Sequence, residues 1–267
     1  MSKKWTNAPV YFVIAQVRHN LVLSLNTYAP EIQERMRKAG YPDYRPGKSV
    51  VFNFIQHRLE EPSLQQSPVS ETLDRHVFLS KDGSHGFILE QGALSFQTTE
   101  YDTFETFSSA LFTGLKIVHE CISLDYSERV GIRYLDAVVP PDNESVLTNY
   151  LVPGVLGLAG SLPDDAPITL SFSETHISTS DANLLSRTIV RNGSLGFPMD
   201  LATQGLQIPS RFQQVNGVHA IIDTDAWQEG RKDFDLVQLQ ERLDMLHTKI
   251  RMAFNACVTK QAVKMWE

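Results

Sequence analysis

Residues 235–257 read DLVQLQERLDMLHTKIRMAFNAC, and their apolar side chains recur every three or four positions. Because residues three and four apart share one face of an α-helix, this spacing predicts a single long helix with a continuous apolar stripe. At about 1.5 Å per residue the helix would be on the order of 30 Å long, with Asp235 placed to cap its first turn. The predicted stripe consists of Leu236, Leu239, Leu243, Leu246, Ile250, Ala253 and Cys257. The side chains predicted to face water are Gln238, Glu241, Arg242, Lys249 and Arg251.

Two further helices are predicted in the first half of the chain. The longer one covers about residues 103–122, where Asp102 and Glu105 have the spacing of a capping box. The shorter one covers about residues 28–39, with Pro30 in its first turn. The apolar stripe of the longer helix consists of Phe104, Phe107, Leu111, Leu115, Val118 and Ile122.

Strands are predicted wherever short runs rich in β-branched and aromatic residues lie between turn signals. In the first strand, Tyr11, Val13 and Ala15 are expected on one face, because side chains alternate along a strand. The polar segment 60–71 is predicted to be an exposed loop, and residues 145–151 a short helix. The predicted strands cover residues 9–18, 48–58, 75–79, 86–90, 93–98, 129–138, 168–178, 184–191, 207–214 and 217–224.

The order of these elements is strand, helix, four strands and long helix, and the remainder of the chain repeats it. Strand meanders with a long helix across one face indicate an α+β fold rather than a parallel sheet. We therefore predict antiparallel curved sheets with long packed helices, in tandem β-α-β4-α halves that cover residues 1–125 and 126–267. TATA-binding-protein-like and helix-grip folds have this arrangement, and sandwich and doubly wound folds are the alternatives.

The composition is that of a soluble globular protein, with 42% hydrophobic and 21% charged residues. A formal net charge of −7 disfavours a broad nucleic-acid-binding face, since such faces are usually basic. Cys121 and Cys257 both fall on apolar helix positions, which favours buried thiols in a reducing compartment over a disulfide or a nucleophile. The first residues lack the apolar core of a signal peptide, and no apolar run could span a membrane. These features predict a cytoplasmic protein without membrane contact.

Short signatures of known catalytic chemistry are missing from the sequence. It contains neither the glycine-rich phosphate-binding patterns nor the G-x-S-x-G and H-E-x-x-H motifs of hydrolases. It also has no C-x-x-C and no close histidine pair, so we predict no metal site and no cofactor. These absences favour a non-enzymatic role without excluding an enzyme that has no short signature.

The most unusual polar stretch is the predicted strand at residues 127–136, SERVGIRYLD. Alternation places Arg129, Gly131 and Arg133 on one face and Tyr134 and Asp136 on the other. Two arginines beside a glycine could hold a carboxylate or phosphate, or they could pair with nearby acids while the glycine marks a bulge. The candidate ligand-binding or partner-binding residues are Arg129, Arg133, Tyr134, Asp136 and His247.

His247 and two further features are each open to two interpretations. His247, beside the stripe of the long helix, could be a ligand or an acid–base group, or a partly buried histidine with a backbone partner. Arg187, Arg191 and Arg211 could join the first two arginines in a local basic face, although scattered solvated arginines are the simpler interpretation. The glycine-rich run 152–162 is either a loop at the edge of the core or a surface for a partner.

Three segments together resemble a sporadically distributed bacterial family of proteins of about this length whose function is unknown. They are N-A-P-V at residues 7–10, R-V-G-I-R-Y-L-D at 129–136 and L-D-x-L-H-x-x-I-x-x-A-F at 243–254, and the aromatic helix opening Tyr101-Asp102-Thr103-Phe104 also fits. The resemblance extends from Asn7 to Met265, with long variable stretches between the matching segments, and it implies no catalytic residues. The patchy distribution of such genes implies mobile cassettes, such as toxin–antitoxin or phage-defence loci.

Three functional hypotheses follow from these patterns. The first is a non-enzymatic protein-binding or regulatory component, with a protein partner encoded nearby and a homodimer permitted. The second is a sensor of a small molecule or nucleotide, with a cavity between the long helix and the sheet lined by Arg129, Arg133 and Tyr134. The third is a nucleic-acid binder that uses the curved sheet as a saddle, and the net charge disfavours it.

Overall fold

One open antiparallel sheet of nine strands organises the protein, in the order β2-β3-β4-β5-β1-β6-β9-β8-β7. The computed structural model describes residues 5–53, 69–141, 146–162, 168–201 and 203–267. The strands are β1 (Val10–His19), β2 (Asp43–Asn53), β3 (Val69–Leu79), β4 (His85–Glu90), β5 (Ala93–Thr98), β6 (Tyr126–Val138), β7 (Leu170–Ser178), β8 (Asn183–Ser194) and β9 (Asn216–Asp233). The helices are α1 (Leu25–Lys38), α2 (Phe104–Ile122), α3 (Pro153–Leu156), α4 (Leu236–Cys257) and α5 (Lys260–Trp266). The predicted α+β class is thus confirmed, together with its antiparallel sheet.

Helix α4 forms where the apolar spacing predicts it. Asp235 caps the first turn, accepting hydrogen bonds from the amides of Val237 and Gln238 at 2.8 and 2.9 Å. The prediction for Arg242 is wrong, because this side chain is buried rather than in water. The helix lies against the sheet, and the Arg242 guanidinium donates to Gln228 on β9 and Ser127 on β6. The residues of the stripe that are buried in the core are Leu239, Leu243, Leu246, Ile250 and Cys257.

Helices α1 and α2 cover the same face of the sheet and differ from prediction only at their starts. The cap of α2 is Thr103 rather than Asp102, since the Thr103 hydroxyl accepts from the Thr106 amide at 3.1 Å. Helix α1 begins at Leu25, so Pro30 lies inside the helix and not in its first turn. The predicted apolar stripe of α2 is confirmed, with Phe104, Phe107, Leu111, Leu115 and Val118 buried.

Several strands also depart from their predicted form. Tyr11 faces away from Val13, because a register shift between Val10 and Phe12 turns two successive side chains to the same side of the sheet. Strand β2 begins five residues before its predicted start and contains Pro46, which a strand at the edge of a sheet tolerates.

Some predictions fall partly or wholly outside the described residues. Residues 54–58, the end of the second predicted strand, lie outside the described residues. Residues 60–68 of the predicted loop 60–71 also lie outside them. Strand β3 includes the last residues of that predicted loop. Of the predicted short helix at residues 145–151, Leu147–Asn149 forms a 3-10 turn, and the short helix α3 begins after it at Pro153.

The other face of the sheet is covered by an irregular segment between β8 and β9, residues 195–201 and 203–215, which we call the strap. The strand predicted at residues 207–214 is wrong, because these residues lie across the sheet with only a 3-10 turn at Ser210–Phe212. The apolar residues Leu206, Ile208 and Phe212 pack onto the sheet face instead of pairing with a strand. Their partners on the sheet include Tyr11, Phe12, Leu135, Ala137, Ile189 and Ile221.

Candidate functional site

Strand β6 divides the candidate residues between the two faces of the sheet. Tyr134 and Asp136 face the helices and line a cavity together with His247 of α4. Arg129 and Arg133 point to the strap face, where Arg133 reaches the strap itself. The structure therefore brings three of the five candidates together, and it separates both arginines from them.

Arg133 lies at the centre of a paired network beneath the strap. Its Nε and Nη2 donate to the two carboxylate oxygens of Asp223 at 2.7 and 2.8 Å. Its Nη1 and Nη2 donate to Asp200 of the strap at 3.1 and 3.2 Å. Burial acts to lower the pKa of Arg133, but the hydrogen bonds and charges of Asp223 and Asp200 raise it above its ordinary value. Arg187 approaches the same two carboxylates at 3.3 and 3.2 Å, so the network joins two arginines to two aspartates.

Arg129 has partners of its own on β9. Its guanidinium lies 5.6 Å from the centre of the Trp227 ring, and its Nη2 is 3.9 Å from an oxygen of Asp225. A Cβ atom at Gly131 would lie 2.8 Å from Arg129 Nη1. The glycine therefore makes room for the arginine, and the bulge expected there lies instead between Ser127 and Arg129.

The proposed basic face is not assembled from the remaining arginines. Arg187 belongs to the paired network, and Arg211 of the strap donates to the carbonyl oxygens of Ala8 and Val10 at 2.8 and 2.7 Å. Arg191 lies opposite His219 of β9 in the sheet register. Arg187 and Arg211 are thus engaged with acids or backbone carbonyls of the same chain.

A cavity of about 280 Å³ lies between α2, α4, β6 and the chain just before β1. This volume is near the lower end of the range for small-molecule sites, about 300–1,000 Å³. Apolar and aromatic walls with a few convergent polar groups are typical of such sites. The aromatic residues of the lining are Trp5, Tyr101, Phe104, Tyr134 and Phe254. The polar residues are Asp102, Thr103, Asp136, His247, Arg251 and Asn255.

Asp136 is the most unusual group in this lining. The residue is only 7% exposed, yet its carboxyl accepts no hydrogen bond from any described residue. Burial, and after it the negative charge of Asp223, raises the pKa of Asp136 from the usual 3.8 to about 8. At neutral pH the group is therefore mainly protonated, and it can either donate a hydrogen bond or become a carboxylate when a positive charge arrives.

Two tyrosines form the wall next to Asp136. The hydroxyl of Tyr134 donates to the hydroxyl of Tyr101 at 3.1 Å, and the two rings meet edge to face with centroids 5.3 Å apart. Burial raises the pKa of both hydroxyl groups above the ordinary value of 10.0, so both stay neutral. Within the cavity they act as neutral hydrogen-bonding groups on large aromatic surfaces.

His247 stacks on Phe104 with ring centroids 3.9 Å apart and planes 6° from parallel. Burial, followed by the charge of Arg251, lowers the pKa of His247 to about 4, so the ring is neutral at physiological pH. It makes no hydrogen bond with a described residue, so the backbone partner considered for it is not among these residues. The stacked pair borders both the cavity and a wider groove of about 650 Å³ on the outer side of α2 and α4.

Sequence reasoning identified Tyr134, Asp136 and His247 but missed the rings that complete the cavity. Trp5 and Phe254 come from opposite ends of the chain, with ring centroids 6.0 Å apart. Tyr101 and Phe104 belong to the aromatic opening of α2, which the sequence offers as a family-like feature, with Phe104 also predicted in the apolar stripe of that helix. Their spacing at the start of a helix was the available signal, and only the fold shows that it faces β6.

Comparisons with known proteins do not test the expected family membership, which therefore stays a prediction. No protein-family model matches the chain, and no curated protein shows significant sequence similarity to it. Among the described residues, no cluster of three or more His, Cys, Asp or Glu side chains could hold a metal ion. In the same part of the chain, no helix has both the length and the apolar character needed to cross a membrane.

Proposed function

We propose that the protein is a non-enzymatic binding protein whose cavity between α2, α4 and β6 takes a small organic molecule. The observation that carries this proposal is Asp136, a buried carboxyl group at the cavity wall without a hydrogen-bonding partner among the described residues. Buried polar groups in proteins are nearly always hydrogen-bonded, so a ligand that completes this group stabilises the protein on binding. The second hypothesis is kept in altered form, because Tyr134 lines the cavity and the two arginines do not.

The rest of the lining favours binding over catalysis. The Thr103 hydroxyl is already used to cap α2. His247 is neutral and stacked, and the hydroxyl groups of Tyr101 and Tyr134 are bonded to each other. No described residue of the lining combines a nucleophile with an adjacent base, which is the usual signature of covalent catalysis. The lining suits recognition by shape, by aromatic contact and by the buried acid Asp136.

A blocking variant tests this proposal without knowledge of the ligand. Asn255 lines the cavity and is exposed, so Asn255→Trp would place an indole at the cavity without disturbing the core. Met252→Trp is the matched control, because Met252 is 64% exposed on the same helix and lies outside the cavity lining. Thermal shift would be measured with a panel of cationic, neutral and anionic small molecules.

We expect at least one class of molecule to raise the melting temperature of the wild type and of Met252→Trp, but not of Asn255→Trp. Native mass spectrometry of gently purified protein provides a second readout, in which a retained small molecule is lost from the blocked variant. Two results together would refute the proposal. No molecule of the panel would give a thermal shift that Asn255→Trp abolishes, and the purified wild type would carry no small molecule.

A second candidate function is binding of a protein partner, as a regulatory component of a toxin–antitoxin or phage-defence locus. Strand β7 lies at an edge of the sheet, and its residues Leu170 and Phe172 are 56% and 61% exposed. Edge strands with exposed apolar side chains are the surfaces to which a partner adds a strand. This candidate is supported by the surface alone, and it is compatible with a ligand in the cavity.

Co-expression with the neighbouring genes tests the second candidate. A protein that co-purifies with the wild type and with Met199→Ser, but not with Phe172→Ser, would support docking at β7. Met199 serves as the control because it is fully exposed and lies in the strap rather than on β7. If both variants recover the partner equally well, the partner binds at a surface other than β7.

We also propose that the chain is a tandem duplication of the TATA-binding-protein-like or helix-grip-like kind. Strands β1 and β6 lie side by side at the centre, and the remaining strands of each half follow outward in reverse chain order. The second half departs from the predicted pattern, since three of the described strands follow β6 in the chain rather than four. A nucleic-acid-binding saddle has the least support, because the strap covers the middle of the sheet face that α1, α2 and α4 leave open.

A further inference from the structure

We propose that the ligand of the cavity is a small alkylammonium cation, whose charge is held by the carboxylate of Asp136 inside a cage of aromatic rings. This inference rests on the proposed function, because it specifies the chemistry of the molecule that occupies the same cavity. It assigns Asp136 the role of counter-ion and the surrounding rings the role of an apolar, electron-rich wall.

The rings around the cavity form a nearly continuous wall. Tyr101 and Tyr134 meet edge to face at 5.3 Å, and the Tyr134 ring lies 6.1 Å from that of His247. On the other side, Trp5 and Phe254 lie 6.0 Å apart. Aromatic faces attract cations through their quadrupole within about 6 Å, and cages of such rings recognise alkylated ammonium groups. A wall of this kind accepts methyl or methylene groups together with a positive charge.

Asp136 supplies the charge that an aromatic wall lacks. It is more than nine-tenths buried, and none of the described residues donates a hydrogen bond to it or pairs with it. A cation within about 4–6 Å of a carboxyl group favours its ionised form. Binding would therefore replace the proton of Asp136 with the ammonium group, and that proton passes to the solvent buffer.

An anionic ligand fits this lining less well. Among the described residues that line the cavity, Arg251 is the only lysine or arginine, while both Arg129 and Arg133 are engaged on the other face of the sheet. His247 is neutral because burial lowers its pKa to about 4. An anion would also be brought against Asp136 and would hold that group in its protonated form.

The pH dependence of binding follows from the groups that face Asp136. They are Tyr101 and Asp102 before α2, Tyr134 on β6, His247 and Arg251 on α4, and Asp223 of β9, whose charge acts through the sheet. The charge of Asp136 also acts on Tyr11 of β1 and Cys257 of α4, and burial raises the pKa of both groups. The raised pKa of Asp136 lies at about 8, whereas that of His247 lies at about 4 and those of Tyr101 and Tyr134 lie above their usual 10.0. Between pH 6 and pH 9 the pH dependence of binding is therefore set mainly by the ionisation of Asp136. Over this range the affinity for a permanent cation should rise roughly tenfold or more.

Choline and its neutral carbon analogue 3,3-dimethylbutan-1-ol are the probes that test the charge alone. The two molecules have nearly the same shape, and neither titrates between pH 6 and pH 9. Isothermal titration calorimetry on the full chain, in phosphate and in HEPES, would give the affinity and the number of protons released. We expect choline to bind at least tenfold more tightly than the alcohol at pH 8, with release of up to one proton at pH 7.

Two variants control for the role of Asp136. Asp136→Asn should lose the preference for choline over the alcohol and the proton release, while Asp225→Asn should keep both. Asp225 is a suitable match because it is a partly buried aspartate on the neighbouring strand that pairs with Arg129 on the strap face. If Asp136→Asn is too unstable to test, the wild type alone still tests the proposal. Choline affinity that does not rise with pH, together with no proton release on binding, would overturn it.

The outcomes separate this inference from the proposed function. Equal binding of choline and the alcohol, with both blocked by Asn255→Trp, would overturn the cation proposal and leave a cavity for a neutral ligand. Binding of neutral or anionic molecules of the panel at this cavity, without binding of choline, would overturn it in the same way. If no molecule of any charge class binds in a way that Asn255→Trp blocks, the proposed function itself fails.

Discussion

On the strap face of β6, the buried guanidinium of Arg133 is held by two carboxylates, whereas on the helix face of the same strand the carboxyl of Asp136 has no such partner among the described residues. Arg133 and Asp223 meet through two hydrogen bonds of 2.7 and 2.8 Å. Asp136 instead keeps a proton, because burial raises its pKa to about 8. The two sites lie three positions apart in the sequence and face opposite sides of one sheet.

The difference shows two ways in which a fold accommodates a buried ionisable group. A charge can be compensated by a charged partner of the same chain, or it can be removed by protonation. The first arrangement leaves little for a ligand to add, because the donors of Arg133 already have acceptors. The second arrangement can be completed from outside, since a ligand can take the place of a proton. We therefore assign Arg133 to the stability of the strap face and Asp136 to binding.

The largest expected effect comes from removing the acid of the paired network. Asp223→Asn leaves the buried Arg133 with only Asp200, whose side chain is 50% exposed, while Arg187 keeps both Asp200 and Glu174. Breaking a buried ion pair in this way costs about 3–5 kcal/mol, because the charge of Arg133 stays buried with little compensation. Urea denaturation at pH 7 would measure the loss of unfolding free energy.

Asp225→Asn is the matched control, since Asp225 lies two residues along β9 and its oxygen is 3.9 Å from Arg129. We expect it to cost about 1 kcal/mol or less, in line with a loose and partly solvated pair. If Asp223→Asn were as stable as this control, the network would not be structural. Arg133 would then return to the set of ligand-binding candidates.

Unlike Asp223→Asn, the substitution Asp136→Asn should increase the free energy of unfolding, and it should do so only above acid pH. The folded-state pKa of Asp136 is raised from 3.8 to about 8, so the folded protein binds the proton more tightly than the unfolded chain does. Stability of the wild type therefore falls as the pH rises between these two values and levels off above the upper one. Relative to the wild type, the amide should be neutral near pH 4 and stabilising by about 2–4 kcal/mol at pH 8.

Thermal unfolding of both proteins across pH 4 to 9 would measure this difference. The expected gain is smaller than the full shift of about 5–6 kcal/mol, because an Asn amide hydrogen in the cavity also needs a partner. A constant difference between the two proteins over the whole pH range would show that Asp136 does not titrate as described. An added cationic ligand should reduce the difference, since it stabilises only the protein with the carboxylate.

Only part of the helix-facing half of this comparison could be predicted from sequence, and the strap-facing half could not. Local spacing decides which face of a strand or helix a side chain takes, so it predicts Tyr134 and Asp136 on one face of β6 and His247 beside the stripe of α4. It does not predict that these three side chains share a cavity, and the cavity expected from sequence was lined by Arg129 and Arg133 instead of Asp136 and His247. The partner of Arg133 is a different problem, because Asp223 is 90 residues away and no local pattern selects it. The same reason explains why the burial of Arg242 was missed, since its partners belong to β6 and β9.

The strap was missed for a different physical reason. Residues 207–214 have an apolar pattern like that of a strand, but the pattern reports which side chains are buried and not how the backbone is paired. Here Ile208 and Phe212 are buried by lying across an existing sheet face. The strap is held by long-range contacts, such as the 2.7 Å hydrogen bond from Gln97 Nε2 to the Thr203 carbonyl. Nothing in the local sequence distinguishes this use of apolar residues from strand formation.

The smallest expected effect concerns the exposed member of the paired network. Asp200→Ala removes the contacts of the strap with Arg133 and Arg187 but leaves the bonds between Arg133 and Asp223. Because Asp200 is half exposed and solvent screens its charge, we expect a loss of about 1 kcal/mol or less in global stability. Local opening of the strap should respond more strongly, because few groups hold this part of it to the sheet. Limited proteolysis should cut the strap several-fold faster in this variant, while choline binding in the cavity on the other face stays unchanged. A matching loss of choline affinity would instead show that the two faces of β6 are coupled, and the separation of structural and binding roles would no longer hold.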